Sequence, residues 1–140
     1  MTRVLVVGCG DLGRQIAQLL MASGHEVVGV RKSDKTLTAN IPCIQADVTY
    51  APSLTSIRHI NPAVIIYCVA ANAQTDESYR THYVEGLRHV LATQETNTEL
   101  RHVFFISSTR VYGQNVQASL DETVQPIPAD FGGERLLEAE

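Results

Sequence analysis

Short runs of β-branched and other apolar residues alternate along this chain with stretches whose apolar positions recur every three or four residues. The first run, residues 3–7, predicts a strand, and a glycine-rich turn leads from it into a helix with Leu12, Ile16, Leu19 and Leu20 at helical spacing. Gly24 is placed to end that helix. Residues 27–30 predict a second strand and 43–46 a shorter third. A helix with Leu54, Ile57 and Ile60 on one face stops at Asn61-Pro62, because a proline drives the residue before it out of the helical region. Residues 63–69 read as a fully buried fourth strand. Residues 75–93 read as one long helix turning Tyr83, Leu87, Val90 and Leu91 inward, and 102–106 as a fifth strand. Residues 134–140 begin a last helix with neither a capping glycine nor a following strand, so a fragment or truncated product is expected.

Strands and helices in strict alternation predict an α/β fold, a doubly wound parallel sheet with helices on both faces. Right-handed crossovers place five strands in the order 3-2-1-4-5 and put a ligand crevice at their carboxyl ends, where the order reverses. No linker or repeat divides the 140 residues, which read as one domain.

Composition narrows the partners. A net charge of −4 with no run of Lys or Arg argues against nucleic acid and anionic membranes. The longest apolar stretch, residues 63–71, is too short to span a bilayer, and no signal peptide is evident, so a cytoplasmic location is expected. Three widely spaced cysteines, Cys9, Cys43 and Cys68, suggest neither a disulfide framework nor a metal site; all are expected to be reduced and buried. The five histidines show no metal-ligand spacing, so no metal is assigned. The neighbouring carboxylates Asp76-Glu77 and Asp121-Glu122 read as solvated, not as an acid/base pair.

The chemistry begins at Gly8-Cys9-Gly10-Asp11-Leu12-Gly13, which matches G-x-G-x-x-G. In a strand–turn–helix unit the first glycine makes the tight turn, the second lets the backbone approach a pyrophosphate, and the third packs helix on strand. The helix amino terminus then faces the phosphates. This is the fingerprint of a Rossmann-type dinucleotide site. An acidic residue normally ends the second strand where NAD is selected, but this chain has Arg31 there, followed by Lys32 and Ser33. A guanidinium can bind a ribose 2′-phosphate through charge-assisted bonds, so NADP(H) is expected ahead of NAD(H).

These residues, together with Ala46-Asp47-Val48, Val69-Ala70-Ala71 and Ser107-Ser108-Thr109-Arg110-Val111-Tyr112-Gly113, make the chain similar to the extended or atypical short-chain dehydrogenase/reductases, the group of NAD(P)-dependent epimerases and dehydratases. The resemblance spans essentially the whole chain. It implies that Asp47 bonds the adenine amino group, that Val48 flanks the ring, that Ala70 and Ala71 line the cofactor, and that Ser108 bonds the reacting oxygen of a small-molecule substrate such as a sugar nucleotide. Read from the residues alone, Asp47 is a loop carboxylate and Ser108 a strand-end serine bonding its own backbone. The family's homodimers pair the long helix with the helix beginning near Phe131, so a homodimer is a possibility the resemblance carries. Its substrate pocket comes largely from a carboxyl-terminal part beyond residue 140.

The chain departs from the family at its proton-transfer pair. The segment matching Y-x-x-x-K reads Phe131-Gly132-Gly133-Glu134-Arg135, and phenylalanine cannot transfer a proton. Val7 replaces the first glycine of the extended loop pattern, and Tyr83 the family's helical asparagine. Two functions stay open. One is an NADP(H)-dependent oxidoreductase or epimerase with Ser108 positioning substrate and Tyr112, a histidine or water supplying the proton. The other is a non-catalytic NADP(H)-binding sensor or partner-binding module.

Overall fold

A computed structural model describes residues 2–33, 41–113 and 120–140. Five strands, β1 (Arg3–Val7), β2 (Glu26–Arg31), β3 (Cys43–Gln45), β4 (Val64–Tyr67) and β5 (His102–Phe105), pair in parallel in the order β3-β2-β1-β4-β5. The fold is the Rossmann-like α/β sheet that the alternating pattern predicts. β1 lies at its centre and is covered on both faces, which is why Val4, Leu5, Val6 and Val7 form an unbroken apolar run and are all buried. Leu5 and Val7 join Val30, Leu54, Ile57, Ile65, Tyr67 and Val90 on one side of the sheet. Val4 and Val6 face Ala17 of α1 (Asp11–Ala22) and Val27 on the other.

Two elements differ from the pattern-based reading. Residues Ala51–Ile57 form a 3₁₀ helix instead of an α-helix. With three residues per turn, Leu54 and Ile57 eclipse on one face, and both are completely buried. The fourth strand is shorter than 63–69 and alternates between buried and half-buried positions instead of being buried throughout. The fifth strand lies at the sheet edge, as the predicted order requires, and leaves Val103 and Phe104 exposed.

The long helix is also not a uniform α-helix. Its α segments, α2 (Asp76–Tyr79) and α3 (Gly86–Ala92), flank a π segment at Arg80–Glu85. The cause lies in the neighbouring strand. Tyr67 donates its hydroxyl hydrogen to the His82 carbonyl at 2.5 Å, capturing the oxygen that an α-helix would offer to Gly86. A β-carbon on Gly86 would meet that phenol oxygen, so only glycine admits the intrusion.

Candidate functional site

The strand carboxyl ends open onto a cavity of about 820 Å³, within the range typical of small-molecule sites. Gly8, Gly10, Asp11, Leu12 and Gly13 line one wall, and Arg31, Lys32 and Ser33 line the end of β2. Asp47 and Val48 follow β3, and Ala70 follows β4. Twelve residues carry the cofactor expectation, and eleven of them face this one cavity. Ala71 stands behind it, where its N–H donates to the Tyr83 hydroxyl at 3.3 Å.

The three loop glycines differ in what holds them to glycine. Gly8 has φ +86°, and a β-carbon there would sit 2.7 Å from the Val69 nitrogen. At Gly13 a β-carbon would lie 2.5 Å from the Gly8 carbonyl oxygen, so helix and turn can close only without a side chain. At Gly10 a β-carbon would meet no atom within 4 Å. Protein packing therefore explains two of the glycines and leaves the third facing the cavity. Gly10 also begins α1, and no side chain caps that helix end. By contrast, Thr75 caps α2 by accepting the Ser78 N–H, and Asp130 caps α4 (Phe131–Ala139) by accepting the Gly133 N–H. An uncapped amino terminus leaves its first N–H groups without intrahelical acceptors and concentrates positive potential at the cavity wall.

Around the adenosine-side candidates, Asp47 is firmly fixed. Burial acts to raise its carboxyl, but hydrogen bonds from the Thr49 hydroxyl and amide, aided by Lys32, outweigh burial and hold it below its ordinary value. Lys32 lies 3.7 Å from the second carboxylate oxygen. Val48 is held by its carbonyl, 2.7 Å from the His89 ring nitrogen on α3. Four further residues with polar side chains, Asn72, His82, Tyr83 and Ser107, also line the cavity. Strand-end position could have marked Asn72 and Ser107 from the sequence. His82 and Tyr83 reach the cavity from the π segment.

Ser108 is placed differently from Ser107. Its hydroxyl oxygen accepts the Arg110 N–H at 3.1 Å and so caps the turn at Thr109–Val111, while Ser107 lines the cavity and donates its hydroxyl to the Glu140 carboxylate. Tyr112 donates its hydroxyl to the Asp121 carbonyl at 3.2 Å.

The replaced proton-transfer pair is built into packing. Phe131 meets the Tyr79 ring edge-to-face, and the Arg110 guanidinium lies 5.0 Å from the Tyr79 centroid and 5.1 Å from that of Phe131. Arg110 also pairs with Asp130 and donates to Gln74 and the Tyr79 hydroxyl. Arg135 forms a two-pronged pair with Asp76 at 2.7 and 3.2 Å. That bond lowers the Asp76 carboxyl and raises the guanidinium, so Asp76 is engaged and not merely solvated as its sequence setting suggested. Cys43 is likewise a correction: it is exposed on the edge strand β3, whereas Cys9 is buried and Cys68 half-buried. No cluster of three metal-ligating side chains occurs among the described residues, and no helix among them is long and apolar enough to cross a membrane.

The NAD dependent epimerase/dehydratase family profile matches residues 4–130. Among solved structures, a protein of Methylobacillus flagellatus described as an NAD-dependent epimerase/dehydratase is 46% identical, with a TM-score of 0.85 over 99% of this chain and 48% of its own. A Burkholderia cenocepacia protein described as an epimerase is 26% identical, with a TM-score of 0.83 over 99% of this chain and 48% of its own. The Bordetella bronchiseptica enzyme WbmG, solved with NAD and UDP, shares the fold at 17% identity and a TM-score of 0.79, over 99% of this chain and 47% of its own. No curated protein matches the chain. The chain spans about half the length of these solved structures. With the family profile covering most of its residues, this chain belongs to the NAD-dependent epimerase/dehydratase family.

Proposed function

We propose that residues 1–140 form the nucleotide-binding part of an NADP(H)-dependent oxidoreductase of the epimerase/dehydratase type, acting on a sugar nucleotide or a related alcohol or carbonyl compound. The observation that carries this reading is the uncapped start of α1 at Gly10, a glycine with open space where its side chain would be, on the wall of the cavity. Family membership and the NAD and UDP held by the Bordetella protein support a dinucleotide in that place.

In this reading the N–H groups at the start of α1 hold the pyrophosphate. Asp47 and Val48 hold the adenine, and Arg31, Lys32 and Ser33 meet the 2′-phosphate. Arg31 at the end of β2 supports NADP(H), because a carboxylate there would repel the phosphate and none is present. Ala70 and Tyr83 face the nicotinamide half, with Ala71 behind them, its N–H on the Tyr83 hydroxyl. When bound, the cofactor supplies or accepts a hydride. Ser108 and its neighbour Ser107 supply hydroxyls at the end of β5, where one of them orients the reacting oxygen. Residues beyond position 140 in a longer protein would complete the substrate pocket, and dimerisation through the long helix and α4 belongs to the same reading.

Calorimetric titration with NADPH and with NADH, repeated on Arg31→Ala, tests the cofactor. NADPH should bind more tightly than NADH, and the substitution should erase most of that preference. Equal affinity for both in the unaltered protein would overturn the assignment to NADP(H).

A second reading, a nucleotide-binding module without catalysis, is favoured by one arrangement. Phe131 and Arg135 are committed to the Tyr79, Arg110 and Asp76 contacts. The double substitution Phe131→Tyr with Arg135→Lys separates the two: turnover of a nucleotide-sugar substrate should rise in a latent enzyme and stay absent in a module.

A further inference from the structure

Beneath the glycine turn, three strands bring two cysteines together. Cys9 follows β1, Cys43 opens β3, and Gly29 on β2 lies between them in register with Cys43. Both sulfurs lie 3.1 Å from the point that a β-carbon on Gly29 would occupy, and the Cys9 β-carbon lies 3.3 Å from it. The two sulfurs are therefore no farther apart than twice that 3.1 Å, with no side chain between them. Any other residue at position 29 would stand between the thiols.

We propose that Cys9 and Cys43 form a peroxide-responsive dithiol that closes into a disulfide under the phosphate-binding turn. Their environments divide the labour. Cys43 is exposed on an edge strand, where a peroxide can reach it, and Cys9 is wholly buried in the turn. Burial, with the Cys43 sulfur beside it, pushes the Cys9 thiol up to about 11, so Cys9 is a poor primary nucleophile. The Cys43 thiolate attacks a peroxide oxygen; the S–O bond forms, the O–O bond breaks, and the peroxide is reduced to an alcohol or water as the sulfur becomes a sulfenic acid. The Cys9 sulfur then attacks Cys43. The S–S bond forms, the S–O bond breaks, and the hydroxide leaves with the Cys9 proton as water, so two thiols and one hydrogen peroxide give one disulfide and two waters.

Closing the bond requires the sulfurs to reach about 2.05 Å. The cost falls on the turn, because Gly8 and Cys9 are both hydrogen-bonded through their N–H groups to the Val30 carbonyl, at 2.8 and 3.0 Å. Drawing Cys9 toward β3, across β2, distorts those two bonds and with them the turn that leads into α1. This consequence rests on the nucleotide-binding reading given above; formation of the disulfide does not.

The test treats the purified protein with stoichiometric hydrogen peroxide and maps the product by peptide mass spectrometry, before and after reduction, with NADPH affinity measured in each state. The expected result is a loss of two mass units, a Cys9–Cys43 linked peptide, and NADPH affinity at least tenfold weaker and restored by dithiothreitol. Cys43→Ser should abolish the link, and Cys68→Ser should leave it intact. A linked peptide containing Cys68, or only a sulfenic or sulfinic adduct on Cys43, would overturn the pair. A Cys9–Cys43 link with unchanged affinity would overturn its effect on the turn. A protein that forms the link yet binds no nucleotide when reduced upholds the dithiol and removes the nucleotide-binding reading.

Discussion

Replacing Gly8 with alanine should destabilise the protein by about 2–3 kcal/mol, from two separate causes. The residue sits at φ +86°, and an L-residue in the left-handed region costs roughly 1–2 kcal/mol. The added carbon would stand 2.7 Å from the Val69 nitrogen and 2.8 Å from the Cys68 carbonyl carbon, both backbone atoms. Carbon contacts are comfortable only at about 3.5 Å or more, so the turn must move away from the end of β4. The hydrogen bond from the Cys68 N–H to the Val7 carbonyl, 2.7 Å long, lies in the path of that movement, and its loss costs about 1 kcal/mol. In thermal unfolding followed by circular dichroism, the sum corresponds to a fall in Tm of the order of 10 °C. Gly13→Ala should behave similarly, because its carbon would meet the Gly8 carbonyl. A Gly8→Ala protein that melts within about 2 °C of the unaltered one would refute the reasoning, since it would show that the turn is not pinned against β4.

Two further outcomes follow from the same geometry. Tyr67→Phe leaves the His82 carbonyl without its phenol donor and should cost about 1–2 kcal/mol in urea unfolding; no loss would mean that the π segment is held by other contacts. Acid should act through Asp76 and Asp130, whose carboxyls are lowered by Arg135 and Arg110 respectively. Their contribution is complete above the unfolded-state value of about 3.9 and fades as pH falls through the lower folded values. The Tm should therefore decline below about pH 4, and Arg135→Gln should flatten that decline; an unchanged profile would remove the Asp76 pair from the explanation.

The sheet was legible because its central strand is an unbroken apolar run and the amphipathic helix after the glycine turn keeps its spacing, both strictly local signals. The dinucleotide-like turn was legible for the same reason. What the pattern could not carry was tertiary. The π segment depends on a phenol from β4 reaching His82, and the 3₁₀ form of Ala51–Ile57 buries the same two residues that an α-helix would. The edge place of β5 did follow from the predicted strand order, but the apolar residues of the strand gave no sign that Val103 and Phe104 would be exposed there. At the site, sequence spacing brought the glycines, Arg31 and Asp47 to one cavity, but it could not separate Ser107 from Ser108. Their partners are what differ: Ser108 accepts the Arg110 N–H of the turn it caps, whereas Ser107 donates its hydroxyl to the Glu140 carboxylate and lines the cavity. The Phe131 and Arg135 replacements were visible as departures; their partners Tyr79, Arg110 and Asp76 are distant in sequence and were not.

The most direct measurement is calorimetric titration of Gly10→Ala with NADPH beside a thermal melt of the same protein. A methyl at position 10 meets no protein atom within 4 Å and so should leave the Tm within about 2 °C. It enters the space that the pyrophosphate is expected to occupy, so NADPH affinity should fall at least tenfold, about 1.4 kcal/mol. Unchanged affinity in the stable variant would contradict the account, because the open face of Gly10 would then not be where the nucleotide binds.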